Sequence, residues 1–371
     1  MNSEETFTLQ NECLQIRILP AFGGKISSLR SARTGEEFLL PPLHRYRQVS
    51  RTAGFHEGDL GGFDECLPSV SICESTSDEP PVPDHGDLWR SKWDIDSYDR
   101  PVTIHADSLS RPLRLTRHSW LDGPSLVLDY DLLNLSDAPT TWLWSAHPLL
   151  RIEAGDRILL PDEIKEVVVE YSAAGVFEKN SAIGWPQAQS AWGTAVDLST
   201  VGKRDGVTAH KLFARVGRSG WAGLYRKRTG QGLVLCFNPS ALPFLGLWIC
   251  SGAWPETGAK KQYTVALEPT TSNVDSLASA EQNGTARSLA ARERCQWRLE
   301  LRLLEASSPL SFEAFCAQAI ASASNPEPAA YSQTLSRSSL AATWGRQRTQ
   351  RHGLRTRRET ATGPLRQAGI G

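Results

Sequence analysis

The chain has 371 residues, 40% of them apolar, with 40 Lys and Arg against 41 Asp and Glu and a net charge of −1. That length can bury one large core or two smaller ones, and the near-neutral balance gives no field to draw the whole chain to nucleic acid or a membrane. No apolar run approaches the roughly 18 residues of a membrane span. The opening MNSEETFTLQ is polar and acidic, unlike a secretion signal, so a cytoplasmic location is expected.

Period-two alternation dominates from the start. CLQIRIL puts Leu14, Ile16 and Ile18 on one face, and SLVLDYDLL does the same with Leu126, Leu128, Tyr130 and Leu132. YRKRTGQGLVLCF reads as a hairpin turning at Thr229-Gly-Gln-Gly, with Leu233, Leu235 and Phe237 facing one way. A short helix is expected in SNVDSLASAEQNG, capped by Ser272 or Asn273. CQWRLELRLL turns Cys295, Trp297, Leu299, Leu301 and Leu303 inward, and SPLSFEAFCAQAIASA over 308–323 is the clearest helix. With no strand–helix–strand rhythm, a doubly wound parallel sheet is excluded in favour of one large antiparallel β domain, a sandwich or barrel, over residues 1–323.

From Ser324 the composition turns to Ser, Ala, Pro, Arg and Thr. From Arg337 onward there are eight arginines and one acid, Glu359, so this end carries +7 and the remainder −8. Too few large apolar residues remain to form a core, and residues 324–371 read as a disordered tail, or as a basic arm for an acidic partner. Seven cysteines without metal-ligand spacing read as free thiols in a reducing compartment, and Asn134-Leu-Ser and Asn283-Gly-Thr as chance matches to the glycosylation pattern.

Four segments hold residues able to do chemistry. GGFDECLPSV carries Asp64 and Glu65, which on a strand point to opposite faces, so a single pocket takes one of them unless a bulge intervenes. PDHGDLWRSKWDI carries Asp84, His85, Asp87 and Trp89. In TWLWSAHPLLRI, His147 stands at an expected strand end before Pro148, and in QYTVALEPTTSNVDSL, Glu268 holds the same place before Pro269. Taken singly, each is more often a hydrogen-bonded structural residue. Twelve tryptophans suit a Trp-rich core, but a few such rings also offer flat surfaces to the apolar face of a sugar.

In this order and spacing the segments resemble the aldose 1-epimerase (galactose mutarotase-like) family, over about Thr6 to Leu304. The resemblance implies an all-β fold, a β-supersandwich of antiparallel sheets with a few short helices. It implies His147 in AHPLL as catalytic acid, Glu268 in LEPTTSNVDSL as catalytic base and His85 in DHG as a substrate-binding residue. Asp64, Glu65, Trp89 and Trp248, with Trp254, are the expected further contacts to a monosaccharide, and Asp162 in LLPDEI stands for an additional substrate-binding aspartate. Ring opening and reclosure need one base and one acid, so neither metal nor organic cofactor is expected. Glu268 would take the O1 proton while protonated His147 gives one to the ring oxygen. Two other readings stay open: a non-catalytic carbohydrate-binding protein on the same fold, and a hexose-6-phosphate epimerase using Arg51, Arg90 or Lys92 for the phosphate. The sequence does not set the oligomeric state.

Overall fold

A computed structural model describes residues 6–74 and 79–323. The segment expected as a tail, 324–371, lies outside the described residues.

Two antiparallel sheets dominate. Across the ten-stranded sheet the order is Phe7–Gln10, Leu14–Leu19, Lys25–Ser31, Phe63–Cys66, Ser145–Arg151, Tyr263–Thr270, Phe244–Ser251, Ala209–Arg215, Glu166–Ser172 and Ala182–Gly184. The eight-stranded sheet runs Arg157–Leu159, Trp221–Arg226, Gln231–Phe237, Arg294–Glu305, Ser125–Asn134, Leu113–Asp122, Val102–Asp107 and Asp94–Ser97. The strands alternate because one face of each sheet must leave water. Leu14, Ile16 and Ile18 of the first sheet meet Leu126, Leu128, Tyr130, Leu132, Leu233, Leu235, Leu299 and Leu301 of the second in one apolar layer. The expected hairpin is formed, with Arg226 opposite Gln231.

Three expectations are corrected. The short helix spans Leu277–Asn283 and is capped by Ser276, whose side chain accepts from the Ser279 amide, rather than by Ser272 or Asn273. Its end is closed by Gly284 in the left-handed conformation. His147 does not end its strand, which continues to Arg151. Pro148 is tolerated because the ladder to the Tyr263–Thr270 strand steps from Ser145↔Thr270 directly to Leu149↔Ala266, leaving no rung for a missing N–H to break. Glu268 likewise lies inside its strand, with Pro269 opposite Leu245 and Thr270 opposite Phe244.

The outer face of the ten-stranded sheet is where the chemistry collects. Alternation sends Leu212, Leu245, Leu247, Leu150, Val265 and Leu267 to the interior, so their neighbours Lys211, Gly246, Trp248, His147, Leu149, Ala266 and Glu268 face the other way. Part of that outer face is roofed. Leu40, Phe55, Leu60 and Trp89 pack on Leu149 and Ala266, with Trp248 and Trp254 at the edge.

Candidate active site

The register of three strands builds the centre. Asp64 lies opposite His147 on the neighbouring strand, and His147 falls midway between Ser145↔Thr270 and Leu149↔Ala266, opposite Glu268. Cross-strand neighbours on one face are close enough for side chains to meet. His147 Nε2 lies 3.9 Å from Glu268 Oε1. One strand further, Gly246 stands opposite Glu268, and a Cβ there would sit 2.9 Å from Glu268 Oε2.

His85 reaches this row from a loop. It has a positive φ of 59° and is followed by Gly86 at 71°, a pair of left-handed residues that turns the chain sharply. Gly86 is required by contact as well as conformation, since a Cβ there would lie 2.1 Å from the Leu67 carbonyl oxygen. The His85 ring stacks on Phe55 with centroids 4.1 Å apart and meets the His147 ring at 5.0 Å, nearly perpendicular. Its Nδ1 is 2.8 Å from Asp84 Oδ1. Burial opposes ionisation of Asp84, but the His85 ring, the Phe55 amide and Arg90 outweigh it and hold the carboxyl down at about 2. Asp84 is therefore an ionised acceptor, Nδ1 carries the proton, and His85 Nε2 is the nitrogen left for other partners.

Two buried lysines complete the floor. Lys25 Nζ donates to Asp64 Oδ2 and to the Gly61 carbonyl, and lies 3.3 Å from Asp59. Lys211 Nζ donates to Glu268 Oε2 and lies 3.3 Å from Asp275. Charges removed from water are costly unless paired, and each lysine here sits between two carboxylates. Burial pulls both lysines down, yet their acidic partners carry them above the ordinary range. Burial pushes Asp64 up to about 7 against the pull of Lys25. It also raises Glu268, helped by Asp275 and opposed by Lys211 and His85. His147 falls well below its usual value, through burial first and then the charges of His85, Lys211 and Lys25. The imidazole is thus neutral in the unliganded protein. Buried polar atoms are normally satisfied, but Glu268 Oε1, His147 Nδ1 and Asp64 Oδ1 have no hydrogen-bond partner among the described residues.

The structure brings together Asp64, His85, His147 and Glu268, and leaves others elsewhere. Glu65 points into the sandwich interior, where Arg117, Tyr130 and Trp144 all donate to it, so it does not line the site. The one-residue step along the strand puts it on the wrong face. Trp89 is part of the roof rather than a free surface: it is buried, its indole N–H donates to the Asp84 carbonyl, and Arg90 covers its ring at 4.4 Å. Trp248 is half-buried at the edge, edge-on to Trp254 at 5.9 Å. Asp162 is exposed and paired with Lys165, away from the site. Arg51 is committed to Asp87 and Ser110, and Arg90 to the carbonyls of Ser50, Arg51, Ala53 and Asp84.

Lys25, Asp59, Lys211, Asp275 and Phe55 are site residues that sequence reasoning missed. Only Lys211 gave a signal, as a lysine inside the apolar alternation of AHKLFAR. Among the described residues no group of three or more His, Cys, Asp or Glu could hold a metal ion. No helix among them is long and apolar enough to cross a membrane.

An antiparallel β-supersandwich with a buried histidine–carboxylate pair on the outer face of its larger sheet defines the class. No protein-family model matches the chain, and no curated protein is similar to it in sequence. Solved structures are similar in fold. A galactose mutarotase related enzyme from Lactobacillus acidophilus is 14% identical with a TM-score of 0.60, over 82% of this chain and 99% of that one. A GalM/aldose epimerase homologue from C. elegans is 12% identical with a TM-score of 0.55, over 82% and 99%. A galactose mutarotase-like protein from Clostridium acetobutylicum is 13% identical with a TM-score of 0.55, over 81% and 95%. The chain has the galactose mutarotase-like fold.

Proposed function

We propose that the protein is an aldose 1-epimerase, interconverting the α and β anomers of a free monosaccharide by ring opening at His147 and Glu268. The observation that carries this reading is the 3.9 Å approach of His147 Nε2 to Glu268 Oε1, an oxygen with no hydrogen-bond partner among the described residues. A base and an acid this close can serve the two oxygens of one hemiacetal carbon, O1 and ring O5.

The chemistry needs one proton shared by the pair. To open the ring, Glu268 takes the proton of O1 while protonated His147 gives one to O5, and the C1–O5 bond breaks to leave an aldehyde. After rotation about C1–C2 the transfers reverse: the C5 hydroxyl returns its proton to His147 as it attacks the other face, and Glu268 reprotonates O1. The ring-opening form and the form in which both groups are neutral differ only by moving that proton from Glu268 to His147. Positioned acid and base groups of this kind contribute about 10²–10⁴-fold each. His85, oriented by Asp84, offers Nε2 to a ring hydroxyl, and Trp248 and Trp254 supply apolar surface at the edge. The sugar enters on the side bounded by the half-buried His85, Asp275 and Trp254.

The commitment of Arg51 and Arg90 to protein partners favours an unphosphorylated sugar over a hexose 6-phosphate. The test is polarimetry of freshly dissolved α-aldoses with and without the protein. Acceleration that is lost in His147→Asn is expected. Failure to accelerate any of several hexoses and pentoses, alongside measurable sugar binding, would replace this reading with a non-catalytic carbohydrate-binding protein.

A further inference from the structure

Resting on the catalytic pair above, we propose that Lys211 is the positioning residue for Glu268: it clamps one carboxylate oxygen, turns the other toward His147, and favours the ionised form of the carboxylate. The geometry supports each part. Lys211 Nζ binds Oε2, while Oε1, which faces His147 Nε2, has no hydrogen-bond partner among the described residues. Gly246 leaves the space in which Oε2 turns toward the lysine, since a Cβ at that position would stand 2.9 Å from Oε2 and 3.2 Å from Glu268 Cβ. A bulkier residue there would push the carboxylate off the clamp.

The charge argument follows from position. Glu268 is faced by Lys211 and His147 at contact range, and by Asp275, His85 and Cys66 around them. Left to burial and Asp275, this carboxyl would hold its proton and could not act on O1. Lys211 touches Glu268 directly but acts on His147 only as one of several charges around it. Coulomb energy falls with distance, so the lysine favours the anion at Glu268 more than it disfavours the cation at His147. It therefore biases the shared proton toward His147, the distribution that opens a ring. Asp275, 3.3 Å from the same ammonium, moderates the pull, so that Glu268 can still accept a proton when O1 releases one.

The test is the titration of Glu268, read by carbon-13 NMR of the full-length protein with labelled glutamate. The Glu268 signal is assigned by its loss in Glu268→Gln. In Lys211→Met the midpoint should rise by at least about one pH unit, the usual scale for losing an opposite charge at contact. The acid limb of the mutarotation profile should move up with it. An unchanged midpoint would overturn the proposal and leave Lys211 a structural counter-ion. The titration needs no turnover, so a wild-type protein that fails to accelerate mutarotation would sink the proposed function while still deciding the role of Lys211. If Lys211→Met does not fold, the triple variant Lys211→Met/Glu268→Gln/Asp275→Asn decides instead, because it removes both carboxylates paired with the lysine. Recovery of folding in the triple variant supports an electrostatic clamp, and a triple variant that also fails shows that Lys211 serves packing alone.

Discussion

Asp64 and Glu65 are consecutive, yet their carboxylates are spent on opposite sides of one sheet. Asp64 takes a hydrogen bond from Lys25 on the outer face, and Glu65 accepts from Arg117 in the interior at 2.9 Å. Removing one partner of a fully buried ion pair costs about 3–5 kcal/mol, because the other charge is left without compensation. Glu65→Ala strands an Arg117 side chain that is 0% exposed and should cost on that scale. Asp64→Asn leaves Lys25 with Asp59 and the Gly61 carbonyl and should cost less than half as much. Urea unfolding of both variants checks the order, and a larger loss for Asp64→Asn would show that the outer-face pair is the structural one.

Glu268→Gln keeps the side-chain shape and removes the base. Lys211 retains Asp275 at 3.3 Å, so the variant should fold and bind sugar, while mutarotation falls by about 10²-fold or more. Near-normal turnover would move the base elsewhere, Asp64 being the remaining carboxylate in the row.

Gly86→Ala should do two things at once. The added Cβ would meet the Leu67 carbonyl oxygen at 2.1 Å, so the backbone must shift, at a cost of about 2 kcal/mol or more. The same shift displaces His85 and should weaken sugar affinity. Gly123→Ala is the control. It too has a positive φ, 51°, but nothing among the described residues lies within 4 Å of its Cβ, so it should cost only the local strain of about 1–2 kcal/mol and leave affinity unchanged.

His210 should make the protein acid-sensitive in a defined window. Burial holds its ring down at about 4, against the pull of Asp205. Between about 6.5 and 4 the unfolded chain binds a proton that the folded ring refuses, so stability falls as pH falls through that range. At about 1.4 kcal/mol per pH unit the loss reaches roughly 3 kcal/mol. Asp64, raised to about 7, contributes with the opposite sign, so the measurement is the difference between wild type and His210→Asn. The variant should gain on wild type as the pH is lowered from 6.5 to 4, and a constant difference would show that the ring titrates normally.

The chain truncated after Ala323 should keep its melting temperature and its sugar binding. The removed residues are arginine-rich and offer too little apolar surface to offset the entropy of ordering them. A large drop in melting temperature would show that they pack on the β domain.

Much of the fold is written locally. Alternation at Leu14–Ile18, Leu126–Leu132 and Trp297–Leu303 gives strands and their buried faces, because a half-buried sheet must repeat every two residues. The same period gives the opposite orientations of Asp64 and Glu65 without any coordinates, although only pairing to a second strand says which of them faces His147. Pro148 and Pro269 misled in the same way: a proline reads as a strand end, but both stand inside strands, because its effect depends on whether a neighbour needed that N–H. Nothing local separates Trp89, a buried support, from Trp248 at the edge, since the two rings differ only in what packs against them.

By itself the sequence determined the antiparallel β character, the inward faces and the short list of residues able to exchange protons. It did so because side-chain direction along a strand is a local property. The tertiary structure decided which of those residues meet. The approach of His147 to Glu268 is set by strand register, and the Lys211–Glu268 and Lys25–Asp64 partnerships by the order of strands across a sheet. It also decided the charge states, because burial and the sum of neighbouring charges hold His147 neutral and raise Asp64, and both are properties of the packed molecule rather than of any segment of the chain.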